Sequence, residues 1–179
     1  MLDQVPILGT DDVLPELRSA GVGKAFVAIG DNHLRLRLLA RALEIGFELV
    51  NAVSPAAVLS PSITLGTGTA IMAGAIINAA ARIGDGVILN TNASVDHDCW
   101  IGNGAHIGPA SALAGGVQVG EESSLGVGTC VIPGIRIGNR VTIGAGSVVI
   151  RDLPDDVTAV GVPARIVRER KGGRAQNGR

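Results

Sequence analysis

The chain has 179 residues, a net charge of -1 and a pI near 6.3, a balance that excludes nucleic acid as its main partner. With 46% hydrophobic but only 2% aromatic residues, and 26 glycines, it excludes a layered core built on large aromatic side chains. The mean hydropathy of +0.39 does not imply a membrane span, because Gly, Asn or a charge interrupts each apolar run before the roughly 18 residues that a span needs. No basic stretch followed by an apolar one stands at Met1, so no secretory signal is expected. Cys99 and Cys130 fit a reduced, cytoplasmic setting.

Residues 1–52 read as a small α/β segment. Asp11 is placed to cap a short helix running through Leu17. Lys24–Ile29 (KAFVAI) predicts a short buried strand, and Asn32–Glu44 (NHLRLRLLARALE) predicts a helix. On that helix Leu34, Leu38 and Leu39 share one side, with the arginines elsewhere. Gly46 supplies a C-terminal stop, and Phe47–Val50 predicts the next strand. Such a β-α-β fragment buries little core alone, so it is expected to pack on the next segment or on a neighbouring subunit.

Residues 53–154 form a repeat array. Every sixth residue from Val53 to Val149 is aliphatic, without interruption. A hexapeptide period is the signature of a parallel β-helix, in which each hexad is one flat face and three hexads close a coil. Residues eighteen apart should therefore stack. The position four after each aliphatic residue is small or β-branched in most hexads, as in Ala75, Ala81, Ala93 and Ser111, which suits a narrow triangular interior. Glycine follows the same coil period, with Gly66, Gly84, Gly102, Gly120 and Gly138 in one column and Gly108, Gly126 and Gly144 in another. These glycines are expected to supply positive φ or tight backbone at repeated corners. Residues 155–179 leave the pattern, pass through Gly161-Val162-Pro163-Ala164-Arg165, and end in a basic tail read as a solvated terminus.

One hexad carries candidate chemistry. Val95 opens VDHDCW, and the hexad eighteen residues on is LAGGVQ. His97 should therefore lie beside Gly115, and Asp98 beside Gly116, one rung of about 4.8 Å away. Histidine is the usual general base near neutral pH, and an adjacent acid can fix its tautomer. Asp96 and Asp98 both qualify on spacing. A polar corner exposed to water is the non-functional reading of the same three residues. His106 lies half a coil from His97, so the two belong on different sides of one chain and could meet only across subunits. His33 is read as a surface or capping residue, and Cys99 as core packing. Trp100 could line either a ligand groove or a subunit interface.

Taken together, VPILGTDD (Val5–Asp12), AIGDN (Ala28–Asn32), ILNTNASVDHD (Ile88–Asp98), HIGPASALAGGVQVG (His106–Gly120) and GVPAR (Gly161–Arg165) resemble the left-handed β-helix sugar acetyltransferases. The matching branch holds sialic acid O-acetyltransferases and N-acetyltransferases of nucleotide-linked 4-amino sugars. The resemblance spans about residues 5–167. It implies a mainly β, left-handed parallel β-helix with a partial, Rossmann-like N-terminal segment. Residues 1–52 would then be a remnant of a sugar-nucleotide-binding domain, 53–154 the acetyltransferase domain and 155–179 a C-terminal extension. It further implies direct acetyl transfer from acetyl-CoA to an amino or hydroxyl group of a sugar, in a homotrimer and without a metal. His97 would be the general base and Asp98 its acidic partner. Gly115 would offer its N–H to the thioester carbonyl, His106 would contact acetyl-CoA, and Gly30 would contact the acceptor. The cofactor's nucleotide end would lie near Gly161–Arg165.

The chain departs from that family in one respect. Its relatives begin with a strand and a glycine-rich turn, close to G-A-G-G-H, that helps bind the sugar nucleotide, and this sequence has none. Acceptor affinity is therefore expected to be weak and acetyl-CoA binding intact. Two alternatives remain at this point. A zinc enzyme like the gamma-class carbonic anhydrases needs three histidines, and this chain has three, with His33 outside the array. A catalytically impaired β-helix scaffold is the other.

Overall fold

The structure is a computed structural model and describes residues 5–169. From Ala52 onward the chain winds as a parallel β-solenoid whose two-residue strands recur every six residues. Each strand pairs in parallel with the one eighteen residues later, as in Ser94↔Ala112 and Val95↔Leu113. Three flat faces result. The first stacks the strands at 52–53, 70–71, 88–89, 106–107, 124–125 and 142–143. The second stacks 58–59, 76–77, 94–95, 112–113, 130–131 and 148–149. The third stacks 64–65, 82–83, 100–101, 118–119 and 136–137.

The hexad explains the interior. The second residue of each strand points inward, and from Ile71 to Val149 these residues are almost wholly buried. The small residue four places on is buried as well, including Ala75, Ala81, Ala93, Ala105, Ser111 and Ser147. Each fully buried Val, Leu or Ile contributes about 1.5–3 kcal/mol relative to exposure, and the narrow coil leaves no room for a ring.

The two glycine columns work by close approach and not by positive φ. A Cβ on Gly120 would stand 2.5 Å from the Gly138 backbone, and one on Gly126 would stand 2.5 Å from the Ala145 nitrogen. Positive φ belongs to a different set, which recurs every six residues at the corners. Gly68, Gly86, Gly104 and Gly116 are members, and so are the non-glycines Ala80, Asn92, Asp98, Ala110, Glu122 and Arg140. At the corner between the third and first faces, side chains cap the backbone of the coil one step nearer the N-terminus. Thr67 N–H donates to Asp85 Oδ1, Asp85 N–H to Asn103 Oδ1, Glu121 N–H to Asn139 Oδ1, and Asn139 N–H to Asp155 Oδ1.

The N-terminal segment lies along that corner. Helix α1 (Leu14–Ser19) follows a 3-10 turn at Asp11–Val13, so Asp11 sits inside the first turn rather than capping it. The expected buried strand over Lys24–Ile29 shortens to Lys24–Ala25, which is at most half-buried and pairs in parallel with Glu48–Leu49. Helix α2 (Asn32–Ile45) joins them. Asp31 caps it by accepting from the Leu34 N–H at 2.7 Å, and Gly46 ends it at φ +99°. Its buried face is Asn32, Arg35, Leu39 and Ala42, whereas Leu34 is exposed, which corrects the leucine-sided reading. Leu36 and Leu39 rest on the corner glycines Gly68, Gly86 and Gly104, where any Cβ would meet a leucine methyl.

Arg35 fastens the helix. Its Nε donates to Gly86 O at 2.6 Å, Nη1 to Ile29 O and Gly30 O, and Nη2 to Asn32 Oδ1 and Gly104 O. All five guanidinium donors thus have partners, and none of these partners is a carboxylate. Burial holds its pKa below the usual arginine value, and nearby Asp31 partly offsets this. Asn32 adds a second tie, donating to Glu122 O and Ser124 Oγ at 2.9 Å.

The C-terminal residues extend the first face. Val157–Val160 pairs with Thr142–Ile143, and Arg165–Glu169 folds back antiparallel on it. The basic tail read as a solvated terminus lies, from residue 170 on, outside the described residues. Among the described residues no helix is long and apolar enough to cross a membrane.

Two substitutions test these joints. Gly120→Ala should destabilise by about 1–3 kcal/mol, because the added carbon meets backbone that cannot yield. Gly128→Ala, where a Cβ meets nothing within 4 Å, should cost only the strain of positive φ, about 1–2 kcal/mol or less. Urea unfolding of Gly120→Ala measures the loss, and a stability within about 0.5 kcal/mol of the wild type would refute the close-approach account. Arg35→Lys keeps the charge but offers its donors from one point. It should cost about 2 kcal/mol or more and speed amide exchange in α2, whereas native exchange rates would show that the guanidinium carries no load.

Candidate active site

His97 and Asp98 form the turn that joins the second face, at Ser94–Val95, to the third, at Trp100–Ile101. Asp98 adopts φ +58°, a left-handed conformation that bends its carboxylate back toward the preceding imidazole. Its Oδ2 lies 2.8 Å from His97 Nδ1. An ionised carboxylate only accepts, so Nδ1 carries the proton and Nε2 keeps a lone pair. Asp96 does something else: its Oδ1 accepts from the His97 backbone N–H at 2.8 Å and from Asn78 Nδ2 at 3.0 Å. Of the two acids left open by spacing, Asp98 therefore touches the ring and Asp96 braces the backbone.

Charge follows geometry. The hydrogen bond that His97 donates to Asp98, and then the negative charge of Asp96, raise the His97 pKa above its ordinary 6.5. The His97 N–H and the Asn78 amide hold Asp96 below the usual carboxylate range. The site is open to solvent, with side-chain exposures of 61% for His97 and 68% for Asp98.

The imidazole lies against Gly115. A Cβ there would stand 2.6 Å from both Cε1 and Nε2 of His97, so only glycine admits the ring. The coil register sets this contact, since Gly116 N–H donates to His97 O at 2.9 Å. Among the described residues no acceptor takes the Gly115 N–H, in contrast to the capped corner between the third and first faces.

His106 and Gly30 lie elsewhere. His106 projects from the first face, opposite the corner that holds His97. It shares a recess of about 270 Å³ with Gly30, Arg35, Asn90 and Met72. Thr91 N–H donates to Asn90 Oδ1, which turns the Asn90 amide nitrogen toward His106 Nε2 at 3.1 Å. His106 Nδ1 is then the protonated nitrogen. Burial, and then the charge of Arg35, push its pKa below 6.5 and keep it neutral. Gly30 also borders a polar recess of about 420 Å³ with Asp31, His33, Glu122 and Arg140. His33 pairs with Glu122 at 3.0 Å and is no cap. Cys99 is buried and Cys130 exposed, and both are free.

One chain thus brings His97, Asp98 and Gly115 together on one side and Gly30 and His106 on another. The three histidines do not converge, and among the described residues no group of three or more His, Cys, Asp or Glu is placed to hold a metal. Arg35 escaped the sequence reading because an arginine in an amphipathic helix looks like a solvent residue. The only clue was its spacing of three from Asn32 and four from Leu39, which puts it on the buried side.

A scan against protein-family models and a search of curated proteins each give no match. Solved structures do match. PerB from Caulobacter crescentus, crystallised with CoA and GDP-perosamine, is 59% identical, with a TM-score of 0.90 over 90% of this chain and 78% of its own. The acetyltransferase domain of PglB from Neisseria gonorrhoeae, crystallised with acetyl coenzyme A, is 38% identical, with a TM-score of 0.90 over 93% of this chain and 81% of its own. WeeI from Acinetobacter baumannii, at 24% identity and a TM-score of 0.87, shares the fold. With an unbroken hexapeptide solenoid, a His-Asp pair against a bare glycine backbone and this likeness, the chain belongs to the left-handed β-helix family of nucleotide-sugar acetyltransferases.

Proposed function

We propose that the chain transfers the acetyl group of acetyl-CoA directly to the amino group of a nucleotide-linked 4-amino sugar. PerB, bound to CoA and GDP-perosamine, is the relative that makes such an acceptor the first to try. The observation that carries the reading is the contact between His97 Nε2, unprotonated and open to solvent, and the Gly115 backbone with its uncommitted N–H. His97 takes a proton from the acceptor nitrogen as it attacks the thioester carbonyl. Asp98 holds the tautomer and stabilises the imidazolium. The Gly115 N–H donates to the carbonyl oxygen as it gains charge. Collapse of the tetrahedral intermediate expels the CoA thiolate, which takes up the proton from His97.

Gly30 is assigned to the acceptor, and His106, held neutral with Nδ1–H free to donate, to acetyl-CoA. These residues lie on the other side of the coil from His97, so a complete site needs one subunit's His97 corner to face a neighbour's His106 recess. We therefore propose a homotrimer, in which the N-terminal segment contacts the acceptor, residues 53–154 carry the transfer and the strands Val157–Val160 and Arg165–Glu169 extend the solenoid. Two free cysteines suit a cytoplasmic setting.

His97→Ala should lower kcat by about 10²–10⁴-fold with N-acetylation of GDP-perosamine followed by thiol release, while the melting temperature stays at the native value. Full activity in this variant would remove His97 from the mechanism. The pH profile gives a second test. A base must be neutral, so kcat/KM should rise with pH through a raised His97 pKa and level off above it. Asp98→Asn removes the chief cause of that elevation, so the acidic limb should move to lower pH while the plateau falls. An acidic limb that stays in place would show that Asp98 does not act on His97.

A further inference from the structure

Asn78 lies one coil below the reaction corner, and neither the core nor the proposed chemistry assigns it a task. It follows the inward residue of its strand, in a column that runs Ser60, Asn78, Asp96, Ala114, Ile132 and Ile150 at steps of eighteen along the edge of the second face. The column is polar up to Asp96 and apolar beyond it. The change falls between the coil of His97 and the coil of Gly115.

Asn78 Nδ2 donates to Asp96 Oδ1 at 3.0 Å, and the same oxygen accepts from the His97 N–H at 2.8 Å. An ionised carboxylate only accepts, so the amide presents its nitrogen to it. One oxygen atom thus joins the lower coil to the backbone of the base. The lower coil is itself tied on both sides. Asn78 N–H donates to Val95 O at 2.9 Å, Asp98 N–H to Ala79 O at 3.0 Å, and Ala80 N–H to Ser62 Oγ at 3.1 Å. From the coil above, Gly116 N–H donates to His97 O at 2.9 Å. His97 is therefore held by its N–H from below and by its carbonyl from above.

The corner does not need the lower tie in order to fold. The same left-handed residue recurs at Ala80, Asp98, Gly116 and Gly134, with φ of +59°, +58°, +71° and +72°. In the two upper turns the residues aligned with Asp96 are Ala114 and Ile132, which have no side-chain acceptor to offer. In the turn below, the Ala79 N–H has no side-chain acceptor among the described residues. At this corner a carboxylate on the turn's first N–H, with an amide behind it, is found at the coil that carries histidine and not at the coils beside it.

We propose that Asn78 is a positioning residue for acetyl transfer: it fixes the Asp96 carboxylate and, through it, the His97 backbone, so that the imidazole meets Gly115 in the coil above. The inference rests on the acetyl-transfer reading. Asn78 makes no hydrogen bond to His97 and acts through Asp96. Without the amide, the carboxylate is free to rotate away from the His97 N–H, and the ring loses one of the two ties that set its place.

The test compares Asn78→Ala, Asn78→Gln, Asp96→Ala and Asn78→Ala combined with Asp96→Ala against the wild type. Turnover is followed with acetyl-CoA and GDP- or UDP-linked 4-amino sugars, and the His97 amide proton is followed by NMR. Asn78→Ala should lower kcat by about tenfold, with the KM for acetyl-CoA and the melting temperature at native values. Asn78→Gln keeps the amide and should recover part of the loss. The His97 amide proton, which bonds to a carboxylate in the wild type, should move upfield in Asn78→Ala. Because Asn78 works through Asp96, the combined variant should be no slower than Asp96→Ala alone. Native kcat in Asn78→Ala, beside an inactive His97→Ala, would overturn the inference and leave the acetyl-transfer reading standing. Losses that simply add in the combined variant would overturn it too, as would a loss that tracks the melting temperature and is not recovered by Asn78→Gln. Absence of acetyl transfer in the wild type would overturn both readings.

Discussion

A side chain in this solenoid has a fixed neighbour eighteen residues away, and everything else in the molecule depends on that constraint. The stack holds because each coil's inward aliphatic residue and small residue fill a narrow triangle, and because every backbone pair repeats the same register. Glycine columns such as Gly102–Gly120–Gly138 let adjacent coils come close enough to keep it. A stack of this kind has little tolerance for displacement, and that rigidity is what a reaction centre needs. A ring held against a neighbouring backbone by the register of the whole array is positioned before any substrate arrives.

The N-terminal segment joins this rigid array through one buried cation. Arg35 satisfies its donors with backbone and amide oxygens from α2, the Ile29–Gly30 turn and two coils. The same guanidinium therefore sets the position of Gly30 and, by its charge, helps keep His106 neutral. Packing, turn placement and the state of a site residue come from one side chain. The corner glycines under α2 complete the joint, because at Gly68, Gly86 and Gly104 both the positive φ and the space for a leucine require glycine.

The solenoid and the pairing of His97 with Gly115 were legible because both follow from counting, and counting by six and by eighteen needs no knowledge of side-chain direction. What the sequence left open depends on local direction. Asp96 and Asp98 flank His97 equally in the chain, and only the left-handed backbone at Asp98 turns one carboxylate onto the ring. Glycine columns could be seen, but not which glycines serve tight packing and which serve positive φ, since glycine recurs at eighteen in both sets, as at Gly66, Gly84 and Gly102 and at Gly68, Gly86 and Gly104. Arg35 was set apart from the leucine side because hydrophobic periodicity has no signal for a buried cation whose partners are carbonyls. Lys24–Ile29 read as a buried strand on its apolar run, yet only two residues find a partner, because Glu48–Leu49 is just as short.

The central claim is that coil register presses the His97 ring onto the Gly115 backbone and that catalysis needs this contact. Gly115→Ala tests it most directly, since it removes no catalytic group. Its φ is not in the positive region, and the three atoms nearest the new carbon all belong to the His97 ring. Measured beside the wild type with acetyl-CoA and the nucleotide-linked amino sugar, the variant should melt near the native temperature and bind acetyl-CoA. Its kcat should fall by about a hundredfold or more as the ring is displaced. An unchanged kcat would contradict the account.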